Sequence, residues 1–231
     1  MFGFEEVLPI QEGKTAALRN RPTQVTLNSF TIGYYNSSDT PSRYASDLEV
    51  MEQGRLVGKK RIAVNDPLDI NNMRFYQGSW GMTQDFRSAR LLLAGREMEL
   101  HQNEAVPVPG TPLAVRANRF LPSFSVDASG HAATTDFEGK NPALQIDFLE
   151  NGATKARVWL LKNQPNAAFK IGEDGQARPA APPPFHLLDV APVFFSEIHV
   201  VYDPGAPLFW MSSVGLLIGL CLRFYLHQWR D

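Results

Sequence analysis

The stretch Leu208–Leu222 holds fifteen consecutive residues without a charge, and extending it to Leu226 adds only Arg223. No other segment restricts the fold as much, because an apolar run of helix length must end up in protein or in lipid. A bilayer-spanning helix needs roughly 20 mainly apolar residues, and a terminal Arg can lift its head group to the interface. Pro204 and Pro207 stand where a helix can begin, since first-turn N–H groups have no helical acceptor. Trp210 lies near one end and Tyr225 with Trp229 near the other, as interfacial aromatics do. The alternative is a buried C-terminal helix of a soluble domain. The aromatics at both ends favour a transmembrane span.

Charge flanking the span sets an orientation. Residues 186–207 contain no Lys or Arg, whereas Arg223 and Arg230 follow the apolar run, with His227 between them. Cytoplasmic flanks carry the excess of Lys and Arg, so the C-terminus is expected in the cytoplasm and the bulk of the chain on the outer face. The opening "MFGFEEVLPI" lacks a basic start and a long apolar run, so it does not read as a signal peptide. Export of the preceding residues then calls for upstream spans, on this protein or on a separate polypeptide. A tail anchor with a cytosolic domain is the third option.

The remainder reads as strands. Seventeen Gly, seventeen Pro and fifteen Phe point to strands and turns rather than a helical bundle. In "TQVTLNSFTIGYY" (23–35) the apolar phase shifts midway, which predicts a bulge or burial on both faces. Residues 46–64 predict two strands joined at Gln53-Gly54, residues 65–73 a turn-rich loop, and residues 74–81 a short aromatic strand. Turn signals recur at intervals of about ten residues from there, the rhythm of a sandwich or barrel. The Pro-rich stretch 172–185 predicts an extended surface excursion. The fold expected is a mainly β domain over residues 1–203, then a transmembrane helix and short tail over 204–231.

Several function classes are disfavoured. A net charge of −2 gives no electrostatic case for nucleic acid. One cysteine, Cys221, leaves no disulfide framework, redox pair or cysteine-based zinc site, and no C-x-x-C-H is present. Ser125, Asp127 and His131 are close in sequence but lack a nucleophile elbow. No phosphate-cradling glycine loop or zinc helix motif occurs. A non-catalytic role is the expectation.

Four fragments in order resemble the ResB family of membrane proteins of the system II pathway of cytochrome c maturation. They are "QEGKTA" (11–16), "YASDLEV" (44–50), "IAVNDPLDINNMRFYQGSWG" (62–81) and "HVVYDPGAPLFW" (199–210), the last running straight into the span. The resemblance implies an extracytoplasmic domain held by membrane helices and working with a CcsA-type membrane partner that presents heme to apocytochrome c. In the family further spans precede this domain. Heme would be a transient, non-covalent cofactor, and any heme-binding histidine of those further spans would lie outside this sequence.

The matching residues have physical roles of their own. Asn65-Asp66-Pro67-Leu68 suits a tight turn, because Asn and Asp bond their own backbone and Pro fixes φ. Tyr76, Gln77 and Trp80 follow on a strand, with Gly78 and Gly81 permitting close backbone approach. They serve either as packed aromatics or as a binding surface. In Tyr202-Asp203-Pro204-Gly205, Asp203 can accept bonds from the first N–H groups of the span, a capping role. Gly215 and Gly219, with Ser212 and Ser213 one turn earlier, would let another helix approach closely. Of five histidines, His199 alone lies beside the membrane on the outer side, where a heme could meet the base of the domain. His101, His131 and His186 are expected in exposed loops or strands. The leading expectation is a maturation scaffold; the alternative is a ResB-like structural subunit of a larger membrane electron-transfer complex. An unrelated tethered β-domain is the least favoured.

Overall fold

The computed structural model describes residues 3–34, 41–93, 95–181 and 183–227; Tyr35, Trp229 and Arg230 lie outside them. From the N-terminus the strands are β1 (Phe4–Gln11), β2 (Lys14–Ala17), β3 (Thr23–Tyr34), β4 (Pro41–Glu52), β5 (Arg55–Ala63) and β6 (Leu68–Ile70). The long β7 (Met73–Leu93) precedes β8 (Arg96–His101), β9 (Ala105–Pro107), β10 (Leu113–Leu121), β11 (Phe124–Val126) and β12 (Ala132–Thr134). Then come β13 (Ala143–Glu150), β14 (Ala153–Leu161), β15 (Ala168–Ile171), β16 (Ala177–Ala180) and the long β17 (Phe185–Tyr202). A helix, α1 (Ala206–His227), closes the chain. The β-rich body with one C-terminal helix is the architecture expected from the sequence.

Two compact units emerge: Met1–Ile10 with Thr15–Gly78 and Glu197–Asp231, and Gln11–Lys14 with Ser79–Ser196. β7 and β17 each supply residues to both. In the first unit β2-β3-β4-β5 form one sheet, and β1, β17, β7 and β6 pair in that order. Val25, Leu27, Leu48 and Val50 of β3 and β4 share a core with Leu8, Ile10, Phe75, Ile198 and Val200. Two sheets thus bury their apolar faces together, the two-layer solution open to amphipathic strands. The phase shift in β3 is a bulge: the register with β4 slips between Leu27 and Ser29, so that Leu27 and Phe30 are both buried.

In the second unit, Phe86, Leu91 and Leu100 of β7 and β8 share a core with Val115, Phe120, Ile146 and Leu160 of β10, β13 and β14. A smaller cluster gathers Leu121, Phe124, Trp159 and Leu161. Asp147 is fully buried on β13, opposite Arg116 of β10 and Arg157 of β14, with N–O distances of 3.0 and 2.8 Å.

Three local readings need revision. Residues 74–81 are one part of β7, a strand of 21 residues, rather than a short strand. Its continuation is hidden in the sequence because mixed burial along 77–85 breaks the simple alternation. The loop at 65–73 contains β6 and a hairpin. The Pro-rich stretch contains β16, which pairs with β15 and buries Ala177; proline is tolerated there because β16 is an edge strand.

Candidate functional site

The motif at 62–81 forms two successive turns. Ala63 and Asp66 exchange backbone bonds of 3.2 and 3.0 Å, with Asn65 between them at φ 66°. Asn is among the few side chains that adopt this left-handed conformation without large strain. The reversal therefore spans Ala63–Asp66, two residues before the turn expected over Asn65–Leu68. Lys60 Nζ fastens it, donating to Asp66 at 2.5 Å and to the Pro67 carbonyl at 2.8 Å. A second reversal at Asn71 and Asn72, φ 50° and 62°, joins β6 to β7. Positive φ at both central residues is the hairpin geometry that follows strand twist.

Alternation along β7 then decides what each side chain does. Met73 and Phe75 are buried, and Arg74 and Tyr76 point outward. The β6–β7 register puts Asp69 directly opposite Arg74. Arg74 Nε and Nη2 donate to the two carboxylate oxygens of Asp69. The bond from Arg74 holds the Asp69 carboxyl below its ordinary range, and Asp69, then Tyr76, raise the guanidinium. Arg74 also lies 6.0 Å from the Tyr76 ring centroid.

β17 brings in the other half of the site. Tyr202 is buried, its ring 5.5 Å from that of Phe4 and 3.9 Å below the Arg21 guanidinium. His199 is 39% exposed, with Nδ1 3.9 Å from Glu5 Oε1. Its Cδ2–Nε2 edge lies against Gly78: a Cβ at that glycine would stand 2.5 Å from Cδ2 and 2.6 Å from the Glu197 carbonyl oxygen. The Gln77 side-chain amide reaches the Gly78 carbonyl at 3.4 Å. Trp80 belongs to the second unit, where its ring centroid is 6.0 Å from that of Phe194. There Gly81 admits Phe195 and Phe137, which would stand within 2.8 Å of a Cβ.

Beyond Tyr202 the chain leaves the sheet. Asp203 Oδ1 accepts a 3.0 Å bond from the Gly205 N–H, and the Gly205 carbonyl accepts the first helical bond, from Phe209, at 3.0 Å. Asp203 thus shapes the approach to α1 by bonding the residue that opens the helix. Pro204 lies in this approach. The segment Pro207–Tyr225 is long and apolar enough to cross a membrane and is 0% buried. Leaving a large apolar side chain in water forgoes roughly 1.5–3 kcal/mol each. Leu208, Leu216, Leu217, Ile218 and Phe224 are all more than half exposed, so α1 requires lipid or partner helices. Ser212 and Ser213 hydroxyls donate to the Phe209 carbonyl at 2.8 Å each. A Cβ at Gly215 or at Gly219 would meet nothing within 4 Å outside the helix's own backbone. Cys221 is an exposed free thiol on the same helix.

Asp69, Arg74, Tyr76, Asp203, Pro207 and Trp210 line a cavity of about 550 Å³ beside the first turn of α1. Of the residues singled out in sequence, Tyr76, Asp203, Pro207 and Trp210 line this cavity, and His199 meets Gly78 on the neighbouring strand. Asp69 and Arg74 join them without having been picked out as a pair. Their signal was available: a reversal at Asn71-Asn72 necessarily sets Asp69 across from Arg74. Among the described residues no group of three His, Cys, Asp or Glu could hold a metal ion. His101 and His131 are exposed, and His186 is half-buried on β17.

A model of the ResB-like family matches residues 1–230. The chain is similar to the cytochrome c biogenesis protein CcsB of Gloeobacter violaceus, 22% identical over 96% of this chain and 43% of that protein. Similarity to CcsB of Synechococcus sp. strain JA-3-3Ab is 24% identity over 98% of this chain and 46% of the relative. A shorter match, 39% identical over 26% of the chain and 11% of the relative, is to the chloroplastic cytochrome c biogenesis protein CCS1 of Arabidopsis thaliana. The chain thus spans less than half the length of these relatives. No solved structure matches.

Proposed function

The chain belongs to the ResB-like family, and we propose that it acts in cytochrome c maturation as a membrane-held scaffold. The family match across residues 1–230, ending in an uncovered apolar helix, carries this reading. Residues 1–203 work as an extracytoplasmic body, and the charge asymmetry about the span, with no Lys or Arg over 186–207 and Arg223 in its last turn, supports that orientation. A CcsA-type membrane partner packs against α1 across Gly215 and Gly219, where small residues allow close approach. Heme and apocytochrome c are held together on the outer face.

Such a scaffold accelerates attachment by fixing two reactants in one geometry, which needs no catalytic side chain of its own. His199 is the residue proposed to stand nearest the heme. It lies on the strand that leads into the span, its side chain is 39% exposed, and its ring stands beside Gly78 and 3.9 Å from Glu5.

Purification in mild detergent, followed by a heme absorption spectrum and identification of co-purifying chains, tests this. The scaffold reading expects a CcsA-type partner and a heme band that His199→Ala diminishes. A colourless stoichiometric assembly with electron-transfer subunits would replace it with the structural-subunit reading.

A further inference from the structure

We propose that the cavity beside the first turn of α1 binds the head group of a membrane phospholipid bearing a primary ammonium, phosphatidylethanolamine being the simplest. The inference rests on reading α1 as a membrane span. Nineteen residues, Pro207–Tyr225, rise about 28 Å, close to the roughly 30 Å of hydrocarbon in a bilayer. Pro207 and Trp210 must therefore lie at the hydrocarbon edge, and a cavity that they line opens at head-group depth. Its volume of about 550 Å³ falls within the range of about 300–1,000 Å³ usual for small-molecule sites.

The lining selects among head groups by charge and by donors. Asp69 engages Nε and Nη2 of Arg74, and a guanidinium has five N–H donors, so others remain to meet a phosphate. The lining carries one guanidinium, Arg74, and two carboxylates, Asp69 and Asp203. An anionic head group without a cation adds negative charge to this set. A zwitterion leaves it unchanged, and a primary ammonium can donate to both carboxylates, whereas choline has no N–H to give. Trp210 and Tyr76 supply the amphipathic walls expected at that depth.

The test uses the full chain, reconstituted with equimolar phosphatidylethanolamine, phosphatidylcholine and phosphatidylglycerol, extracted in mild detergent and weighed intact by native mass spectrometry. One phosphatidylethanolamine per chain should be retained, at least tenfold above the other two lipids. Arg74→Gln should lower that retention at least tenfold. Asp203→Asn, which keeps an acceptor for the Gly205 N–H, should shift retention towards phosphatidylglycerol and serves even if Arg74→Gln folds poorly. Soluble phosphoethanolamine should not displace the lipid, whose chains lie along α1. Equal retention of the three lipids, or retention unchanged in both variants, overturns the proposal. Flotation with liposomes separates the two readings. A chain that floats without head-group preference removes this inference alone, and one that does not float removes the membrane reading as well.

Discussion

The imidazole of His199 occupies the space that a side chain at Gly78 would need, with Cδ2 2.5 Å from the position of a Cβ there. Gly78 is in the left-handed region of neither turn; its requirement is proximity to the neighbouring strand. Gly78→Ala should therefore cost about 1–3 kcal/mol, the usual penalty of overpacking. Thermal unfolding in detergent measures it. Adding His199→Ala should recover part of the loss and not all, because the Glu197 carbonyl oxygen is 2.6 Å from the same point.

Asp203 bonds the residue that opens α1, so Asp203→Ala should fray the first turn. The expected loss is about 1 kcal/mol, in the range of lost helix caps. Hydrogen exchange over residues 205–210 should quicken in Asp203→Ala and stay near the parent rate in Asp203→Asn. Equal protection in all three would remove the role assigned to this side chain.

Much of this region was legible because turns and apolar runs are local signals. Gln53-Gly54 marked the β4–β5 hairpin, and the phase shift in "TQVTLNSFTIGYY" marked the β3 bulge. Pairing of distant strands left no such mark. β17 reaches its partners β1 and β7 across more than a hundred residues, so the contact of His199 with Gly78 could not be read from spacing. Asp203 and Trp210 likewise line one cavity with Arg74 only because β17, which leads into α1, lies beside β7. The same limit hid the division into two units, since β7 and β17 each run through as single strands.

Asn72 sits at φ 62° between Ile70 and Met73. Asn72→Val should cost roughly 1–2 kcal/mol, since a β-branched residue clashes there, while Asn72→Gly should be neutral or stabilising. Denaturant midpoints of the two variants should bracket the parent. A Val variant as stable as the Gly variant would contradict the hairpin assignment.

The Asp147 carboxyl gives a pH signature. Burial pushes its pKa up, but bonds from Arg157 and Arg116 outweigh that and hold it below the ordinary value. A group lowered on folding contributes stability above its unfolded pKa, about 3.9 for Asp, and loses it as pH falls through the lower folded value. Asp147→Asn should cost about 1–3 kcal/mol at neutral pH and flatten the loss of stability on acidification below about pH 4. Parallel pH profiles for parent and variant would show that the carboxylate does not carry this dependence.

The central claim is that α1 crosses the bilayer with the β-rich body on the outer face. Its most direct measurement replaces the single cysteine by Cys221→Ser and introduces one thiol at exposed Glu99 or at Asp231, then labels intact cells with a membrane-impermeant maleimide. The account predicts that Glu99→Cys reacts at once in intact cells, whereas Asp231→Cys reacts only after permeabilisation. Equal labelling of both from outside, or protection of Glu99→Cys with exposure of Asp231→Cys, would contradict it.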